Sequence, residues 1–298
     1  MERSVLAGSA ALLTALLVAP AATSSQLIDR NATAVKLQVD AQGEAMLTYT
    51  AAGRLKHVLA WGAENAIPPT PTGKQVAFSL DYSGGYGKYH KTNYWTTASW
   101  VCLPYDGPAL AWEVAACKAP DGSYWALQAW QRALPDYGVN GSPTQTAWEL
   151  HLSHWTGAEP SLQIALDWSY HRFVHMFGSY TYDGTAVYGF RSTPSGVPLD
   201  TFGRNVYVDT FDSVYGPGWK RENSFLTHRS KGSFCYGFYP HGERPVGAGS
   251  KYRAIAIGPG VAPDVMWEGD GIGPYNAPAD ATANAAQRAV GDPQCKVN

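Results

Sequence analysis

Charged side chains are scarce. Lys and Arg number 22 and Asp and Glu 24 among 298 residues, 15% of the chain, and the net charge is −2. So balanced a surface argues against electrostatic capture of nucleic acid. Long apolar runs are missing beyond the first two dozen residues, so no later segment has the length of a membrane-spanning helix. Familiar catalytic signatures are missing as well. The chain has no G-x-S-x-G elbow, no H-E-x-x-H and no G-x-x-x-x-G-K-[ST] loop. Cysteines number only four, and none stand in C-x-x-C spacing, which removes the usual zinc frame.

The start of the chain does carry an apolar run. Met1–Glu2–Arg3 is followed by Val5 to Val18 and then by Ala19–Pro20–Ala21, a small-x-small cleavage pattern. We read residues 1–21 as a secretory signal and 22–33 as a short linker, leaving roughly 275 exported residues. In an oxidising compartment, Cys102, Cys117, Cys235 and Cys295 are then expected as disulfides. Neighbour pairing, Cys102 with Cys117 and Cys235 with Cys295, would contribute about 3–4 kcal/mol per bridge.

Glycine, proline and aromatic residues are plentiful: 31 Gly, 20 Pro, 18 Tyr and 11 Trp. From Ala34 onward the dominant hydrophobic period is two. "AVKLQVD", "EAMLTYT" and "RLKHVLAW" alternate between "AQG" and "AAG" turns, which predicts a meander. "SYWALQAWQRAL", "TAWELHLSHW", "SLQIALDWSY", "RNVYVDTF", "RENSFLTHR", "SFCYGFYP" and "KYRAIAIG" continue the pattern, whereas "ALAWEVAACK" reads as a short helix. The predicted fold is all-β: one domain over 34–273 in a two-sheet sandwich of jelly-roll or lectin-like type, with long loops. Residues 134–145 offer a possible subdomain boundary, and 274–298 form a polar tail pinned by Cys295. Alternation places Trp61, Trp148 and Trp168 in the core, and Trp95, Trp100 and Trp219 near loops.

Two metal patterns are incomplete. His171 and His175 stand four apart without a third ligand, and Asp264, Glu268 and Asp270 lack the D-x-D-x-D-G spacing of a calcium loop. The latter segment reads as a solvated turn. No metal or cofactor is expected. Glu222 has no carboxylate partner nearby in sequence for glycoside hydrolysis.

Two stretches concentrate polar and aromatic residues. "DYSGGYGKYHKTNYW" (81–95) brings Tyr86, Tyr89, His90 and Trp95 onto a glycine-bent loop. Residues 204–228 bring Arg204, Asn205, Trp219, Arg221, Glu222 and His228, with Arg221 and His228 on opposite faces of one predicted strand. A strand with charge on both faces is an edge or the wall of an aqueous groove. Its alternative is a network of buried arginines paired with acids. Aromatic faces flanked by Arg, Asn and Glu suit pyranose rings and their hydroxyls. The sequence thus points to a secreted monomer that binds extracellular polysaccharide or cell-envelope glycan. An alternative is a secreted lyase or hydrolase using Arg204, Arg221, His228 and Tyr236, with Arg neutralising a sugar acid and Tyr or His moving a proton. A third reading is a structural envelope protein with no small ligand.

Overall fold

The computed structural model describes residues 25–67, 75–131, 134, 147–157, 159–186, 191–192, 198–199, 206–221, 225–228, 233–237 and 249–289. The first half contains β1 (Gln26–Arg30), β2 (Thr33–Asp40), β3 (Ala45–Ala51), β4 (Arg54–Trp61) and β5 (Ser79–Asp81). Two one-turn helices follow, α1 (Tyr86–Tyr89) and α2 (Tyr94–Thr97), then β6 (Trp100–Val101), β7 (Glu113–Lys118), β8 (Tyr124–Gln131) and β9 (Trp148–Trp155). The second half opens with β10 (Pro160–Ser169), β11 (Phe173–Tyr182), β12 (Thr185–Ala186), β13 (Arg191–Ser192) and β14 (Pro198–Leu199). It continues through β15 (Val206–Ser213), β16 (Gly216–Arg221), β17 (Phe225–His228), β18 (Ser233–Gly237), β19 (Lys251–Ala256), β20 (Val265–Asp270) and α3 (Ala277–Ala289).

These strands build four antiparallel sheets, as the period-two pattern requires. Sheet I has the order β5-β4-β3-β2-β6, sheet II β1-β9-β8-β7, sheet III β16-β15-β19-β20 and sheet IV β10-β11-β18-β17, with β12 beside β11. A two-stranded ribbon, β13-β14, stands apart from them. The predicted meander is present in full, with β3 paired to both β2 and β4 and a register shift in β2 between Thr33 and Lys36.

Side-chain alternation decides how the sheets stack. Leu37, Val39, Leu47, Tyr49 and Val58 of sheet I pack against Trp125, Leu127, Leu150 and Leu152 of sheet II. Val174, Met176 and Tyr180 of sheet IV pack against Val208, Tyr252 and Ala254 of sheet III. A third cluster joins Trp130 of sheet II to Tyr207 and Ile255 of sheet III, so the two sandwiches meet back to back. Trp125 and Trp130 are both fully buried although they point to opposite faces of β8. Sheet II is therefore covered on both sides, which is why its strands show less polar alternation than a half-exposed sheet would.

Several expectations need correction. The 22–33 linker contains β1, which pairs with β9 and closes sheet II. "ALAWEVAACK" forms β7 rather than a helix, because an edge of sheet II needed pairing with β8. The supposed turn at 264–270 is largely β20, the edge of sheet III. Within the tail, 277–289 form a helix whose buried Asp280 accepts the Trp168 backbone N–H at 3.3 Å. Trp168 is buried, but Trp148 is 45% exposed because it opens β9 beyond the last core row. Cys102 and Cys117 form the expected disulfide, linking the segment after β6 to β7. Cys295 and the 134–145 boundary lie outside the described residues, apart from Leu134, and so does the side chain of Cys235. Among the described residues no helix is long and apolar enough to cross a membrane.

Candidate functional sites

The two stretches singled out in the sequence occupy different sheets. The first, 81–95, folds over the outer face of sheet I. Gly84 and Gly85 have φ of 68° and 100°, and a Cβ on Gly84 would stand 2.8 Å from the Cβ of His57, so only glycine lets the loop descend this far. Asp81 anchors the descent. Its Oδ1 accepts the Ser83 N–H at 2.8 Å and the Ser83 hydroxyl, and Oδ2 accepts the Lys88 N–H at 3.1 Å. Burial alone would raise this carboxyl, but these donors hold it below the usual range.

Carboxylates beneath the loop fix its aromatic rings. Glu44 pairs with Lys88 and accepts the Tyr89 hydroxyl at 2.7 Å. Burial, reinforced by this acceptor, raises the Tyr89 hydroxyl well above an ordinary phenol. Asp40 accepts the Tyr94 hydroxyl at 3.3 Å, and the Tyr89 and Tyr94 rings stack at 4.3 Å. Trp95 lies flat on His57 at 4.6 Å, and Lys88 sits 4.3 Å above Trp61. Burial lowers His57, keeping the ring neutral under the indole. Above this layer Tyr86 and Tyr89 are 48% and 39% exposed, and His90 is exposed beside Tyr86, while Tyr82, at the start of the loop near Asp29 and Lys56, is 57% exposed. Trp95 is half-buried and belongs to the support rather than the surface.

The second stretch does not form one strand. Arg221 ends β16 in sheet III and Phe225 begins β17 in sheet IV, so the predicted alternation across 221–228 is broken by a passage between sheets. Arg204, Asn205 and Glu222 lie outside the described residues, as do the side chains of His228 and Tyr236. Arg221 is buried, and its Nε and Nη2 donate to Asp209 at 2.7 and 3.2 Å while its guanidinium covers Tyr207 at 3.9 Å. The paired-arginine network weighed as the alternative is therefore present at this position. Arg253, which sequence reading passed over inside "KYRAIAIG", donates from Nε to Oδ2 of Asp209 at 2.8 Å, the oxygen that also accepts from Arg221 Nη2. Its guanidinium lies 4.0 Å over Trp219 and 5.4 Å from Trp112. The signal was a charged residue on the inward phase of an otherwise apolar strand.

The incomplete metal patterns dissolve on inspection. His171 sits in the β10–β11 turn against Tyr275, whereas His175 bonds to Asp167 at 2.5 Å within sheet IV. Asp264 is buried and receives Ser25, Trp130 and the Gly258 N–H, while Glu268 reaches Lys251 at 3.4 Å. No family model matches the chain, and no curated protein or solved structure is measurably similar to it.

Proposed function

We propose that the protein is exported and binds extracellular or cell-envelope carbohydrate as a monomer, using the tyrosine-bearing outer face of sheet I. One observation carries this reading. Tyr82, Tyr86 and Tyr89 expose ring surface to water although the loop that bears them is tied down by buried Asp40, Glu44 and Asp81. A loop ordered in advance binds without a further ordering cost, and exposed rings offer stacking surface for the C–H faces of sugars. The low charge content and the hydrophobic leader agree with an extracellular, largely uncharged partner.

The test is retention on a panel of insoluble and immobilised polysaccharides, neutral and acidic, with the polymer assayed afterwards. Wild type is expected to be retained on at least one glycan and to leave it unchanged. Tyr82→Ala with Tyr86→Ala is expected to weaken retention by about tenfold or more, at an unchanged melting temperature, because neither hydroxyl anchors the loop. Retention of the double variant at wild-type strength, or no retention on any member of the panel, overturns the proposal. New reducing ends or ultraviolet-absorbing unsaturated ends would replace it with the hydrolase or lyase reading.

A further inference from the structure

On the face of sheet III that turns toward sheet II, buried charge gathers around Asp209. Asp209 is fully buried; both of its oxygens accept from Arg221, and Oδ2 also accepts from Arg253. Arg253 is 8% exposed and, among the described residues, makes a single hydrogen bond, from Nε, with no acceptor on either Nη group. Glu268 stands opposite Arg253 in the β19–β20 register but gives its carboxylate to Lys251. The Nη atoms are not among the sealed polar atoms that lack a partner, so they reach the surface of the protein. The neighbouring row of the same face, Lys251, Phe211 and Trp219, is exposed or half-buried and continues outward from them.

A buried guanidinium normally fills its donors, and leaving several empty is costly. Here Asp209 orients the group through Nε and Trp219 and Trp112 hold its plane, which leaves the Nη pair facing outward. That is the edge that takes a carboxylate in two parallel hydrogen bonds. The indole of Trp219, half-buried beside it, supplies a face for the ring that carries the carboxylate.

We infer that Arg253 with Trp219 and Trp112 forms a second binding site, distinct from the tyrosine face, for the carboxylate of an acidic sugar residue such as a hexuronate. The carboxylate half of this inference stands on Arg253 alone, and the saccharide half rests on the proposed function.

The experiment titrates a tri-uronide, its methyl ester and a sulfated neutral trisaccharide into the full protein, read by tryptophan fluorescence and calorimetry. The acid is expected to bind at least about tenfold more tightly than the ester and than the sulfated sugar, because a planar fork matches a planar acceptor. Arg253→Lys keeps a cation against Asp209 and is expected to fold with an unchanged melting temperature while losing about tenfold or more for the acid. Equal affinity for acid and ester, an undiminished Arg253→Lys variant, or equal binding of a poly-glutamate peptide would overturn the inference. Tyr82→Ala with Tyr86→Ala separates the two proposals. If that variant loses neutral glycans and Arg253→Lys changes nothing, the second site falls and the first stands. Failure of every sugar in both assays removes the first.

Discussion

Asp209 shows how much one side chain can hold. Both of its oxygens are engaged by guanidinium groups that are themselves nine-tenths covered. Asp209→Asn would leave two buried cations short of their counter-ion, and removal of one member of such a cluster typically costs about 3–5 kcal/mol. We expect a loss of that size in urea unfolding, and a similar loss for Arg221→Ala. Glu159 gives a second prediction. Burial raises its carboxyl from 4.5 to about 7. The folded protein therefore prefers the protonated acid. The stability this contributes is complete below about pH 4.5 and is lost as pH climbs through about 7. Glu159→Gln should flatten the melting temperature between those limits. His154 works in the opposite sense: burial lowers it, although the Ala63 carbonyl, which accepts from Nδ1 at 2.5 Å, opposes the shift. Its contribution is present above about pH 6.5 and fades as the solution is acidified below that value.

At the scale of single elements, the disulfide between Cys102 and Cys117 closes a loop of 15 residues and fixes the short β6 region to β7. By loop-entropy reasoning, Cys102→Ser with Cys117→Ser should cost about 3 kcal/mol, measurable by calorimetry against the oxidised protein. Elements of this kind were also what the sequence displayed best. Strands with clean alternation and glycine turns, such as 33–40 and 45–51, were legible because one face had to be apolar. The β7 strand was not, because Ala115, Ala116 and Cys117 fit a helical stripe equally well, and only pairing with β8 separates the two. The α3 helix was hidden by its alanine-rich composition, which has no large apolar residue; it is placed by β10 and by Asp280 rather than by a hydrophobic face. Half of the candidate surface was legible too. The 81–95 loop was found from its glycines and rings, whereas Arg253 was masked by the apolar strand around it.

The whole molecule is four sheets deep, and that depth was not visible in the alternation. Period two says that a face is covered without saying by what, so one sandwich and two stacked sandwiches leave the same pattern in β8 and β9. The joint between the sandwiches is polar and specific. Gln128 exchanges hydrogen bonds with the backbone of residue 264 at 2.9 and 3.0 Å, and Trp130 donates to the Asp264 carboxylate at 3.1 Å. Gln128→Ala should therefore destabilise by about 1–3 kcal/mol, since it leaves buried backbone groups unpaired. A single unfolding transition is expected to persist, because Trp130, Tyr207 and Ile255 still bind the layers together.

Ser25 belongs to this joint, and its hydroxyl donates to Asp264 at 2.6 Å across 239 positions of the chain. The first of the described residues is thus spoken for by the loop that leads into β20. The seam cannot close as the first half of the polypeptide emerges; it must wait for Asp264. Such distant closure belongs to slow folders, and until it occurs the early half presents an unsheathed β surface that a chaperone, or a second nascent copy, would meet first.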